Sequence, residues 1–184
     1  MADLHYYVSQ QNGNDTTGNG LSAATAWKTL THAVAIVPTP TGGFNNYCHI
    51  GPGIYRERFC PPNSGVSVTS EIVFAGDPNC IYLTSDTPGR VRITGCGTDE
   101  YPTSGRVLDW SAKTYLELRD CDIDGSSSDY ACYGAASIIY RRVRVISFNG
   151  FYAGTQYNCT AIGGSYGFNT GTQYNCTAIG GYNG

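Results

Sequence analysis

Apolar and polar residues alternate over short runs in the second half of the chain: Leu116 and Leu118, Val143 and Val145, then Cys159 and Ala161 share one side, each pair with a polar residue between. Period-two alternation predicts half-buried β-strands. One segment departs from it. Trp27, Leu30, Val34 and Val37 recur at spacings of three, four and three, which predicts an amphipathic helix over 25–37 with Thr25 as N-cap and Pro38 as stop.

The strands repeat. The string GTQYNCTAIGG occupies 154–164 and returns letter for letter at 171–181, an offset of 17 residues. Looser matches run backwards from it, laying Cys159 on Val143 at an offset of 16 and Val143 on Cys121 at 22. Each match keeps a polar residue before its first apolar one (Asp120, Arg142, Asn158, Asn175) and a small residue at its end (Gly125, Ser147, Gly163, Gly180). Helical repeats need roughly 33–47 residues, so units this short must be single coils of strand and turn, stacked at about 4.8 Å as a parallel β-helix. The leucine-rich pattern is absent. Cys121, Cys159 and Cys176 should then stack in one inward column, and Asn158 and Asn175 should form an amide ladder. The helix covers the exposed end of the first coil, so the single domain divides into an N-terminal strand, loop and capping helix over 1–44 and coils over 45–184.

The N-terminal third carries a resemblance. Tyr6-Tyr-Val-Ser-Gln, the loop NGNDTTGNG, the phrase AWKTLTHAVAIV and then YCHIGPGIYRERF, with Pro52-Gly53-Ile54-Tyr55-Arg56-Glu57 at its end, resemble the opening of right-handed parallel β-helix proteins of the pectin-lyase-like superfamily. FAGDPNC and PGRVRITG resemble the second-coil phrasing of phage and environmental members, and the likeness spans about residues 5–96. It implies an all-β, right-handed parallel β-helix solenoid with a short capping helix. The superfamily holds polysaccharide lyases and hydrolases, phage tail spikes and adhesins, so function must be argued from a site.

Composition narrows the classes. Gly, Ser, Thr and Asn exceed a third of the residues and charged residues are only 14%, which suits short strands and tight turns. A net charge of −3, with basic residues scattered singly or in pairs, leaves no footprint for a phosphate backbone, so nucleic acid is not an expected partner. No apolar run reaches the ~18 residues of a membrane span, and the N-terminus has no signal-like apolar region. Eight cysteines without a C-x-x-C pair read as free, mostly buried thiols.

Candidate chemistry is sparse. Asp120, Asp122 and Asp124, with Asp129 behind them, could share a strand face as catalytic acids or Ca²⁺ ligands, but Arg119, Arg141 and Arg142 nearby make stacked ion pairs the stronger expectation. A lyase base is hard to find with only Lys28 and Lys113 present, and His5, His32 and His49 form no Ser-His-Asp set. Asp15 in the 12–20 loop reads as part of a closing turn, with Ca²⁺ as the alternative. Tyr152, Tyr157, Tyr166 and Tyr174 are candidate ligand-binding rings, flat and polar-tipped. No metal or cofactor is otherwise expected.

The expected function is a non-catalytic phage virion protein, a tail spike, tail fibre or surface-decoration subunit that is made in the host cytoplasm. It would be homo-oligomeric, trimeric by resemblance, and contact glycans or sister virion proteins. The alternative is an extracellular polysaccharide lyase or glycoside hydrolase acting on an acidic polysaccharide through Asp120, Asp122 or Asp124. The edge at 172–179 should be covered by further chain or a neighbouring subunit.

Overall fold

A computed structural model describes residues 2–95, 97–98, 101–102, 106–163 and 166–180. In chain order the strands are β1 Leu4–Val8, β2 Asn46–Ile50, β3 Gly53–Tyr55, β4 Ile72–Gly76, β5 Val91–Ile93, β6 Gly97–Thr98, β7 Tyr101–Pro102, β8 Leu108–Trp110 and β9 Leu116–Arg119. They continue as β10 Asp122–Gly134, β11 Ile139–Arg141, β12 Arg144–Tyr152, β13 Thr155–Tyr157, β14 Thr160–Ile162, β15 Tyr166–Phe168, β16 Thr172–Tyr174 and β17 Thr177–Ile179. Among the described residues the chain is mostly β, with one α-helix, α1 Leu30–Ile36.

Two parallel sheets carry the fold. The first has the order β1-β2-β4-β9-β11-β13-β16, and the second β3-β5-β10-β12-β14-β17, with β8 pairing β10 and β15 pairing β12. Strands β2 and β3, β4 and β5, β9 and β10, and each later pair fall alternately on the two sheets, so the chain lays down one strand of each before returning. This arrangement is compatible with a solenoid.

Register follows the repeat. Asp122 faces Arg144, Arg144 faces Thr160 and Thr160 faces Thr177, which are steps of 22, 16 and 17 residues. The inward line of the first sheet runs Tyr6, Cys48, Phe74, Leu118, Tyr140, Gln156 and Gln173. That of the second runs Tyr55, Ile93, Ile123, Val145, Ala161 and Ala178. Residues of both lines join one buried core. Cys121 and Cys159 are buried, and the half-buried Cys176 packs on the same core.

Asp120, Arg142, Asn158 and Asn175 all adopt left-handed backbone, with φ of 57°, 52°, 51° and 52°. The polar residue before each apolar pair is therefore a corner. Asn and Asp accept this conformation best among residues with a Cβ. Among the described residues, the amides of Asn158 and Asn175 make no hydrogen bond to each other, so backbone geometry rather than an amide ladder accounts for their shared position. Gln156, fully buried, donates to the carbonyls of Ala153 (2.7 Å) and Gly154 (3.1 Å) and closes the turn before its own strand from inside.

The helix is shorter than its pattern. Thr25 ends a 3₁₀ turn, and Trp27 is extended, receiving the Ser9 amide and donating its own to Tyr7. Helix α1 begins at Leu30 because Thr29 is the N-cap, its side chain accepting from the His32 amide. Glu57 accepts the Leu30 and Thr31 amides, so the Pro-Gly-Ile-Tyr-Arg-Glu segment delivers a carboxylate to the helix start. Buried Leu30, Ala33 and Val34 join the core, and Trp27 stacks on Tyr6 of β1 with rings 5.7 Å apart.

Candidate functional site

The outward face of the first sheet carries one continuous line: Tyr7, His49, Ala75, Arg119, Arg141, Tyr157 and Tyr174. Its chemistry changes at the small residue. On one side lie aromatics; on the other lie guanidiniums and then stacked tyrosines. Between them Ala75 and Gly76 floor a cavity of about 270 Å³, walled by Tyr47, His49, Ile81 and Tyr82 on one flank and by Arg119, Asp120 and Arg142 on the other. A second hollow of about 360 Å³ continues past Pro78, Asp120 and Arg142 to Asp122, Arg144 and Arg90.

The aromatic flank is built by stacking. His49 lies under Tyr82 with centroids 3.8 Å apart and stacks on His5 at 5.2 Å, and the two imidazoles share a 2.9 Å hydrogen bond. Burial and the neighbouring His5 push the His49 imidazole down to about 4. Asp77 holds the wall in place by accepting the Ile81, Tyr82 and Leu83 amides. Tyr82 itself is 47% exposed, so part of its surface is open to a ligand.

The opposite flank is a lattice of ion pairs. Arg142 grips Asp120 with two hydrogen bonds, Asp122 takes Arg144 twice and Arg90 once, and Asp124 pairs with Arg92. Glu117, almost fully buried, forms an ion pair with Arg119 at 2.7 Å and accepts a hydrogen bond from Arg141 at 3.1 Å. Arg141 also lies 4.3 Å from the Tyr157 ring centre. Six of the nine arginines (Arg90, Arg92, Arg119, Arg141, Arg142, Arg144) thus meet four carboxylates, an excess of positive charge on a chain whose net charge is −3. The Arg142 guanidinium is held above its ordinary range, first by its hydrogen bonds to Asp120.

The three aspartates are brought together on one stretch of surface, each engaged by arginine. The side chain of Asp129 lies outside the described residues. The tyrosines divide. Tyr157 and Tyr174 stack at 4.8 Å and extend the arginine line, whereas Tyr152 stacks on Tyr133 at 4.3 Å and gathers with Tyr166 around Tyr130 on the second sheet. Asp15 accepts the Lys28 and Thr29 amides and the Thr29 hydroxyl; burial raises its carboxyl, but these hydrogen bonds outweigh it and hold it below the usual range. Among the described residues no cluster of three or more His, Cys, Asp or Glu is arranged to hold a metal ion. Among the described residues no helix is long and apolar enough to cross a membrane.

No sequence pattern assembles the aromatic flank. Tyr47, His49 and Tyr82 come from β2 and from the excursion after β4, and no periodicity links them. Nor does one single out Glu71 and Glu117. Burial, then the nearby Glu117, raises the Glu71 carboxyl above its ordinary range. The one available signal was Glu117 sitting between Leu116 and Leu118 with arginines two and 24 residues on.

No family model matches this chain, and no curated protein matches it. Among solved structures it is similar to the crystal structure of a GH136 lacto-N-biosidase from Eubacterium ramulus, a selenomethionine derivative, at 12% identity and a TM-score of 0.59. The match covers 96% of this chain and 34% of that one, so the chain spans about a third of the neighbour's length. At that identity the likeness is one of fold.

Proposed function

We propose that this chain is a right-handed parallel β-helix that binds an acidic glycan without cleaving it, in the groove floored by Ala75 and Gly76. One observation carries the reading: an aromatic wall with the exposed Tyr82 at its open side faces a guanidinium wall whose aspartates are all paired. Ring faces take the apolar side of a sugar, and the surplus of guanidinium over carboxylate along the wall attracts an acidic one. Asp120, Asp122 and Asp124, locked to arginines, are poorly placed to move protons. A virion tail or decoration subunit is the setting that the resemblance suggests for such a module.

A hydrolase is the second reading, favoured by two neighbouring carboxylates, Glu71, whose carboxyl burial and then Glu117 raise above its ordinary range, and Glu117, paired with Arg119 and Arg141. Calorimetric titration with neutral and acidic oligosaccharides, run beside assays for reducing ends and unsaturated products, separates the two. Binding of acidic chains without turnover, weakened about tenfold or more by Tyr82→Ala or Arg142→Ala, is expected. Turnover abolished by Glu71→Gln would establish the hydrolase instead, and absence of any binding would refute the glycan reading.

A further inference from the structure

The groove does not stop at Asp122 and Arg144. Arg90 lines the hollow of about 360 Å³ and also a further one of about 450 Å³, formed with Pro52, Ile54, Thr87, Pro88 and Gly89. Strands β3, β5, β10 and β12 are consecutive in the second sheet, so these two hollows together cross four strands, ~14 Å at the usual strand spacing. With the hollow over Ala75 and Gly76 added, the run is longer than one sugar ring. The segment between β4 and β5 rims all of it: Tyr82 stands at the first hollow, Pro78 between the first and the second, and Pro88 and Gly89 at the third. Two buried carboxylates fix this rim. Asp77 takes the Ile81, Tyr82 and Leu83 amides, and Asp86 accepts the Ser9 hydroxyl at 2.7 Å and the Asn12 side-chain amide at 2.8 Å.

The third hollow differs in chemistry from the other two. Among the described residues no carboxylate lines it, and its main chain is engaged within the protein. Gln11 donates to the Pro52 and Thr87 carbonyls, both at 3.1 Å, and accepts the Thr87 amide, while Gln10 takes both the amide and the carbonyl of Ile54. Gly53 donates to the Arg90 carbonyl and Gly89 to that of Pro78. Two proline rings and the Ile54 side chain remain for a ligand, with Arg90 at the mouth. The Arg90 side chain is 70% exposed and holds Asp122 by one 3.3 Å contact, whereas Arg144 grips that carboxylate twice. Apolar walls beside one charged donor suit a group that has a methyl and a carbonyl oxygen. Building on the glycan reading above, we propose that the hollow between Pro52 and Pro88 is a subsite for an acetyl substituent. The groove then takes an acetylated acidic oligosaccharide of at least three residues, its carboxylates along Arg90, Arg142 and Arg144.

Calorimetric titration of the full chain with glucuronate and mannuronate oligomers of two to six residues, plain and O-acetylated, tests it. Affinity should rise about tenfold or more from dimer to tetramer, and by about fourfold again on acetylation, the gain from burying one methyl group. Gly89→Leu fills the hollow, because a Cβ at Gly89 meets only the Pro52 Cβ at 3.6 Å and the Thr87 carbonyl at 4.0 Å, both on its wall. That variant should keep its circular dichroism, bind the plain dimer as the wild type does and lose the gain from acetylation. Plain oligomers that bind with no gain on acetylation, or a gain that Gly89→Leu leaves intact, would overturn the acetyl subsite while the groove reading stands; no binding of any oligomer removes both. Should Gly89→Leu misfold, methyl NMR of the wild type decides alone: the Ile54 δ1-methyl resonance should move with acetylated oligomers and stay in place with the plain dimer, and a resonance unmoved by either excludes the subsite.

Discussion

Arg142 clasps Asp120 across one repeat, Nε to Oδ1 at 2.5 Å and Nη2 to Oδ2 at 2.7 Å, and both residues hold left-handed backbone. A corner that strains two ordinary residues is thus tied by a two-pronged ion pair. The pair is half-exposed, so its direct contribution is that of a surface salt bridge, about 0.2–1 kcal/mol. Asp120→Gly should therefore be nearly neutral for stability, since relief of the left-handed strain, roughly 1 kcal/mol, offsets loss of the pair. Asp120→Ala loses the pair and tolerates the left-handed backbone less well than Asp, and should cost about 1 kcal/mol or more. Urea denaturation of the two variants checks the difference.

Buried thiols should be silent. Burial pushes Cys48 and Cys159 up to about 12 and raises Cys121 and Cys132 as well. Cys60 is exposed and Cys176 half-buried. In a Cys96→Ser background, thiol labelling of the native protein at pH 8 should mark Cys60 first and Cys176 next, with the others reacting only after unfolding. Cys159→Asp should destabilise by about 3 kcal/mol or more, because it puts an unpaired charge into the core.

Acid should weaken the fold through His49. Its folded value of about 4 lies below the ordinary 6.5, so the unfolded chain binds the proton more readily between those values. Stability is fully present above about pH 6.5, falls as the pH drops towards 4, and the loss amounts to a few kcal/mol. His49→Asn should flatten that part of the stability-against-pH curve, as read by denaturant midpoints at pH 7 and pH 5.

Tyr140 buries a hydroxyl that has no hydrogen-bond partner among the described residues. Tyr140→Phe should therefore leave stability unchanged or raise it, by up to about 1 kcal/mol, where tyrosine-to-phenylalanine substitutions at a bonded hydroxyl cost stability. A lowered thermal midpoint would show that the hydroxyl is engaged.

Much of the second half was legible in the chain itself. Alternation between Leu116 and Ala161 and the 17-residue repeat determined the strands, their register and which side faces inward, because parallel neighbours of like sequence stack like on like. Pairing of Asp120 with Arg142 followed from the same register, whereas Arg119 and Arg141, the other expected partners, meet Glu117, and Asp122 and Asp124 meet Arg144 and Arg92 instead. What only the tertiary structure decided are contacts between segments with no common period. Glu57 reaches back to start the helix at Leu30, so Thr25 falls outside it, since a helix terminus is set by whichever acceptors reach its free amides. Tyr82 meets His49 across an irregular excursion, and Ala75 opens the groove only because its neighbours on the adjacent strands are large.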